Sequence, residues 1–269
     1  MRGLRGANLP IRISSLILLV LAISISGPST AVPVRPEVAN TRVAVRVAGH
    51  FTGVGRMWCA DRANDGIIPS IMTVVGDRRT VVGAGHFLQA SAIKDGKPRL
   101  LSSNVDSCTF QLFNYEGDVI FSSGIESLIT GEKEIDVYRT SSFFHHDWAV
   151  VTLAQEVPAY VKPIRIHPVD HESVDTIQGA LLVSVSKSPP YWHMVSEHCS
   201  VEAGSVATMF QYHIFRHNCN TEPGDSGALI ITVRDGEPWA IGIHNGAIPD
   251  YNENFGQFFG EIEKALASK

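Results

Sequence analysis

The chain has 269 residues, of which 44% are hydrophobic and 18% charged, with a formal net charge of -5. This ordinary globular balance excludes a disordered, collagen-like or coiled-coil chain. An acidic sum without basic clusters also excludes a nucleic-acid-binding surface. With 23 glycines, 14 prolines and few long charged helical stretches, the composition points to β structure.

The first 31 residues read as a separate object. Arg2, Arg5 and Arg12 form a basic start without an acid, residues 13–25 are nearly all apolar, and Ser29-Thr30-Ala31 supplies small residues for a signal peptidase. This is the layout of a secretory signal peptide cleaved after Ala31. Its apolar run of about 13 residues falls short of the roughly 20 that a spanning helix needs. Cleavage takes the net charge from -5 to -8.

Beyond the leader, short runs rich in Val, Ile, Thr and Phe recur at 43–47, 71–75, 80–82, 109–113, 135–138, 148–153, 181–185, 206–210, 229–233 and 239–243. Gly, Asp, Asn, Ser and Pro separate them, and Gly76-Asp77 and Asp235-Gly236 are hairpin signals. About ten to twelve strands joined by turns predict an all-β antiparallel barrel or sandwich. Residues 154–168 carry three prolines and few strand signals, so the chain crosses there between two halves, 32–158 and 159–269. At the end, Phe255, Phe258, Phe259, Ile262 and Leu266 recur at helical spacing and predict an amphipathic helix over 254–267. All four cysteines lie beyond the leader, none in a Cys-x-x-Cys pair. An even count in an exported chain favours disulfides over a metal site. Of the three connectivities, Cys59–Cys108 with Cys199–Cys219, one in each half, is favoured.

Near the C-terminus stands Cys219-Asn-Thr-Glu-Pro-Gly224-Asp225-Ser226-Gly227, followed at once by an apolar strand. Such a tight turn can aim a serine hydroxyl outward and converge the backbone N–H groups of Gly224 and Ser226, the donors that a tetrahedral oxyanion needs. Taken alone, Gly-Asp-Ser-Gly equally suits a plain hairpin turn. A serine nucleophile needs a base, and the base an orienting carboxylate. Thr80-Val-Val-Gly-Ala-Gly-His86 ends an apolar strand on a histidine behind small residues, and His146-Asp147-Trp148 opens a buried strand with an acid. A buried acid is costly unless hydrogen-bonded, which a histidine provides.

In its order His, Asp, Ser, the sequence resembles the chymotrypsin-like (trypsin-like) serine endopeptidases. It looks closest to exported bacterial members of the glutamyl-endopeptidase-like group, through Cys219-Asn-Thr-x-Pro-Gly and Gly242-Ile-His244-Asn-Gly246. The resemblance implies two six-stranded β-barrels, with Ser226 as nucleophile, His86 as general base and acid, and Asp147 as the orienting carboxylate. The amides of Gly224 and Ser226 form the oxyanion hole. Asn220 stands where a trypsin-like chain carries its pocket aspartate, so basic side chains are disfavoured. Thr221 and His244 match the positions that bind an acidic side chain, which makes Glu or a small residue the expected P1. The resemblance further implies that Asp225 receives an N-terminal ammonium released by cleavage. No cofactor or metal is called for, and the partner is a polypeptide substrate met by a monomer, away from membrane and nucleic acid once the signal is removed.

The chain departs from the family pattern in Gly83-Ala84-Gly85 before His86, where Thr-Ala-Ala is usual, and it lacks the cystine beside that histidine. His50 is a rival base, one hairpin too early. His167 and His171 are spaced for zinc on a helix, but Pro168 between them favours a solvated loop. An α/β-hydrolase would need Gly-x-Ser-x-Gly before a helix; Ala228 and a following strand oppose it. The remaining alternative is a protease homologue, catalytically weak or inactive, acting as a binding module.

Overall fold

The computed structural model describes residues 42–44, 51–61, 66–88, 93–94, 97–98, 106–131, 146–167, 169, 176–203, 214–248 and 253–268. The signal segment, His50, His171 and the predicted strands at 135–138 and 206–210 lie outside them. The strands are β1 (Arg42–Ala44), β2 (Val54–Asp61), β3 (Gly66–Val74), β4 (Thr80–Gly83), β5 (Ile93–Lys94), β6 (Lys97–Pro98), β7 (Cys108–Phe113) and β8 (Val119–Thr130). They continue as β9 (Ala149–Leu153), β10 (Arg165–Ile166), β11 (Thr176–Val185), β12 (His193–Ala203), β13 (Ile214–His217), β14 (Leu229–Arg234), β15 (Glu237–Ile248) and β16 (Glu253–Phe258), before the helix α1 (Gly260–Ala267). No helix among the described residues is long and apolar enough to cross a membrane.

Strands β2-β3-β4-β9-β8-β7 close into one antiparallel barrel. A second ring runs β12-β11-β14-β15-β16-β13 and closes where β13 pairs with β12. The expected architecture, two six-stranded barrels and a C-terminal helix, is therefore present. Period-two alternation sorts the side chains. Met72 and Val74 fill the first barrel with Met57, Phe110 and Leu112. Ile71, Val75 and Val82 point the other way, into the core shared with Leu182, Leu229 and Ile243 of the second barrel. One disulfide lies in each barrel: Cys59–Cys108 staples β2 to β7, and Cys199–Cys219 ties β12 to the segment after β13. Both hairpin signals sit on hairpins. Asp235 and Gly236, each at positive φ, close the two-residue turn between Arg234 and Glu237, as a type I′ turn requires.

Two features differ from expectation. The segment 254–258 is strand and not helix, because it has partners on both sides: Asn254 pairs with His217 and Gln257 with Ile243. Closing the ring outweighs the helical spacing of the phenylalanines, and only 260–267 coils, with Phe259 and Ile262 in the core. Strand β1, placed by the sequence boundary with the first half, pairs with β12 of the second barrel, Arg42 opposite Ser196 and Ala44 opposite Met194. It covers the stretch of β12's edge that β13, paired only with 201–203, leaves open.

Candidate active site

The first barrel supplies a histidine and an acid. After β4 the chain turns through Ala84 and Gly85 into the single helical turn His86–Leu88. A Cβ on Gly85 would lie 2.9 Å from the carbonyl oxygen of Trp148, so only glycine permits this approach. It brings the amides of Gly85 and His86 onto Asp147 Oδ1 at 2.9 and 2.8 Å. The His86 Nδ1 stands 2.8 Å from Asp147 Oδ2. Gly85, where the resemblance led to alanine, is thus matched to a close backbone contact. Asp147 is only 1% exposed, and three hydrogen bonds compensate its buried charge. Burial disfavours the His86 imidazolium, but the charge and hydrogen bond of Asp147 outweigh it and raise the pKa above the ordinary imidazole value. The ring remains 29% exposed.

The second barrel supplies the serine on a turn pinned at both ends. Asp225 N–H donates to Glu222 O at 3.0 Å and Ala228 N–H to Asp225 O at 2.8 Å. Gly224 and Gly227 both have positive φ. A Cβ on Gly227 would lie 2.0 Å from Ile71 O, so the turn presses directly on β3. There Ser226 O accepts from Ile71 N–H at 2.8 Å and from Ser70 Oγ at 2.9 Å. On the other side, Gly227 N–H donates to His244 O at 2.7 Å, and the Ser226 hydroxyl to Asn245 O at a long 3.3 Å. The Asn245 amide in turn donates to Asp147 O at 2.7 Å. Asn245 therefore joins the serine turn to the acid of the other barrel. The amides of Gly224 and Ser226 donate to no acceptor among the described residues.

The Asp225 carboxylate is 1% exposed and already paired, though not with a chain terminus. Both of its oxygens accept from the fork of Arg42 on β1, Oδ1 at 3.1 Å from Nη2 and Oδ2 from Nη1. Oδ2 also accepts from Glu222 N–H at 2.8 Å. This corrects the expectation of an ammonium partner: a guanidinium from within the chain occupies the position. A second arginine, Arg56 on β2, is fully buried nearby. Its Nε donates to Ser186 O at 3.0 Å and its Nη2 to Val185 O. Burial lowers its pKa to about 10, with Asp225 acting against that.

The three expected pocket residues follow on. Asn220 N–H donates to Ser196 Oγ at 2.8 Å. The buried Thr221 hydroxyl donates to Asn254 Oδ1 at 3.2 Å, and the Asn254 amide to Cys219 O at 2.8 Å. His244 is buried, its Nδ1 2.9 Å from Nε2 of His217, so one of the two rings supplies the proton and the other the lone pair. Burial pulls His244 down to about 4, against the pull of Asp225. Burial and the neighbouring His244 lower His217 well below the ordinary value. Both rings are thus neutral near pH 7. Sequence reasoning missed Arg42, His217 and Asn254, and it named Asn245 only as part of the Gly242–Gly246 motif, without a contact of its own. Each acts across strands distant in the chain and leaves no local signal.

No family model matches the sequence, and no curated protein matches it. Among solved structures, the chain is similar to a Glu endopeptidase solved in complex with MPD, with a TM-score of 0.58 over 86% of this chain and 98% of that one. At 14% identity the likeness establishes the chymotrypsin-like fold and nothing finer.

Proposed function

We propose that the protein is an exported serine endopeptidase working through an acyl-enzyme. The observation that carries this reading is the Asp147 cradle, which holds the His86 ring by Nδ1 while Asn245 ties the same aspartate to the Ser226 turn. With Nδ1–H donating to Asp147, Nε2 of His86 is the basic nitrogen. Rotation of Ser226 breaks its long bond to Asn245, and the hydroxyl attacks the scissile carbonyl carbon as its proton passes to Nε2. The oxyanion forms where the Gly224 and Ser226 amides converge. His86 returns the proton to the leaving amine, and water repeats the sequence on the ester. No cofactor takes part. Export agrees with two disulfides, which an oxidising compartment maintains. The substrate is a polypeptide, and the enzyme works as a monomer.

For the P1 side chain we read glutamate, received by Thr221 and His244 beside Asn220. The Glu endopeptidase of the same fold supports it. A second reading, a small uncharged P1, is favoured by one observation: the Thr221 hydroxyl already donates to Asn254 and His244 is neutral, so no cation awaits a carboxylate. A peptide library varied only at P1, with Ser226→Ala as control, decides. Glutamate should exceed glutamine and alanine at least about tenfold in kcat/KM, roughly 1.4 kcal/mol of discrimination, and His244→Gln should remove most of that margin. Equal rates for alanine and glutamate give the pocket to small residues. Turnover that persists in Ser226→Ala removes the serine mechanism altogether.

A further inference from the structure

We propose that Arg42 is a positioning residue for the hydrolysis described above, on which this inference rests: strand β1 brings a cation into the back of the Ser226 turn and holds the oxyanion amides in register. Asp225 lies between Gly224 and Ser226, the two residues whose amides converge, so the direction of its side chain fixes the peptide planes on either side. That side chain points into the protein, where an unpaired carboxylate is costly enough to turn the loop outward toward water. Arg42 removes that cost. Its guanidinium, 9% exposed, grips both Asp225 oxygens, reaches Ser184 Oγ at 3.2 Å and stands 3.0 Å from Glu222 Oε1 at the start of the same turn. Planar two-pronged pairing of this kind fixes orientation as well as charge.

Arg56 does not replace it. Its Nε and Nη2 are committed to the carbonyls of Ser186 and Val185, and its remaining Nη1, without a hydrogen-bond partner among the described residues, lies nearer Gly224, 3.7 Å from where a Cβ there would stand. Nothing else in β1 explains the placement of Arg42. The strand is three residues long, Val43 is exposed, and the pairing with β12 leaves Arg42 opposite the buried Ser196. Docking β1 and ordering the nucleophile turn are thus one event. The cation comes from a side chain, so no new chain terminus has to be made to supply it.

The test compares wild type with Arg42→Gln, Arg42→Lys and Arg42→Ala on two readouts: steady-state kinetics with the best peptide, and amide hydrogen exchange of peptides covering 219–228 and 229–234. In Arg42→Gln, kcat should fall about 100-fold or more with KM within about threefold, since the oxyanion donors act on the transition state. Exchange over 219–228 should quicken about tenfold while 229–234 keeps its protection. Arg42→Lys should fall between, one ammonium being unable to span both oxygens, and millimolar guanidinium ion should restore part of the kcat of Arg42→Ala. Kinetics and exchange both within twofold of wild type overturn the proposal. So does a loss of rate with unchanged exchange over 219–228 and no rescue. If Arg42→Gln does not fold, Arg42→Lys is read on the same two measurements. If wild type cleaves no peptide, the hydrolase reading fails, and the exchange comparison alone decides whether Arg42 orders the turn.

Discussion

Asp147 offers one oxygen to two backbone amides and the other to a histidine ring, and this division sets how the site responds to pH. On the proposed mechanism His86 must be neutral to take the serine proton, and Asp147 raises its pKa. The sign follows directly: kcat/KM is low in acid and rises through a pKa above that of a free imidazole. In stability the same contact runs the other way. The pairing contributes fully below the unfolded pKa and is lost as pH rises through the folded one. Asp147→Asn removes the charge and leaves burial to act, so the apparent pKa should drop as the rate falls by about 10⁴-fold. A pH profile of kcat/KM for the two proteins checks this, and an unmoved pKa in the variant contradicts it. The three motifs of the candidate site stand out in the sequence because each carries its context beside it: small residues before His86, an apolar strand after Asp147, glycines around Ser226. Arg42 does not, since its partner Asp225 is 183 positions away, and a lone arginine near a short apolar run says nothing about what it will meet.

The wall formed by β13, β15 and β16 shows what pairing adds to pattern. Asn254 faces His217 across one ladder, and His244 faces Gly256, two residues on from Asn254, across the other. The three polar side chains therefore share one face of the sheet, which is why Thr221, Asn254, His217 and His244 meet in a buried cluster. Sequence alone read 254–258 as the start of a helix, since helical spacing of phenylalanines and alternation in a strand buried on both sides are hard to separate in so short a run. The paired histidines make a prediction. Both are held neutral, with folded pKa values below that of the unfolded chain. Their contribution is therefore intact above the ordinary imidazole pKa and lost as pH falls below it, for His244 down to about 4. For His244 the loss is on the order of 3 kcal/mol. Urea midpoints at about pH 7 and about pH 4.5 should differ strongly in wild type and less in the double variant His217→Gln, His244→Asn. Equal acid sensitivity in both contradicts the assignment.

Across the whole molecule, the candidate site is assembled where the barrels meet. The first holds His86 and Asp147, and the second presents Ser226. The joint is made by Ile71 and Ser70 on the carbonyl of Ser226 and by Asn245 on that of Asp147. Strand spacing, turn residues and the order of the three motifs made this architecture legible. The use of 254–258 as a strand in the second ring and the crossing of β1 onto that ring were not, being long-range pairings that no local window contains. The central claim, that this joint creates a serine activated by His86, is tested most directly by a fluorophosphonate probe on the folded protein, followed by mass and peptide mapping. One adduct per chain should form, on Ser226, and its rate should fall by about 10⁴-fold in His86→Ala. A folded protein that takes no adduct, or labels at Ser226 equally fast without His86, would contradict it.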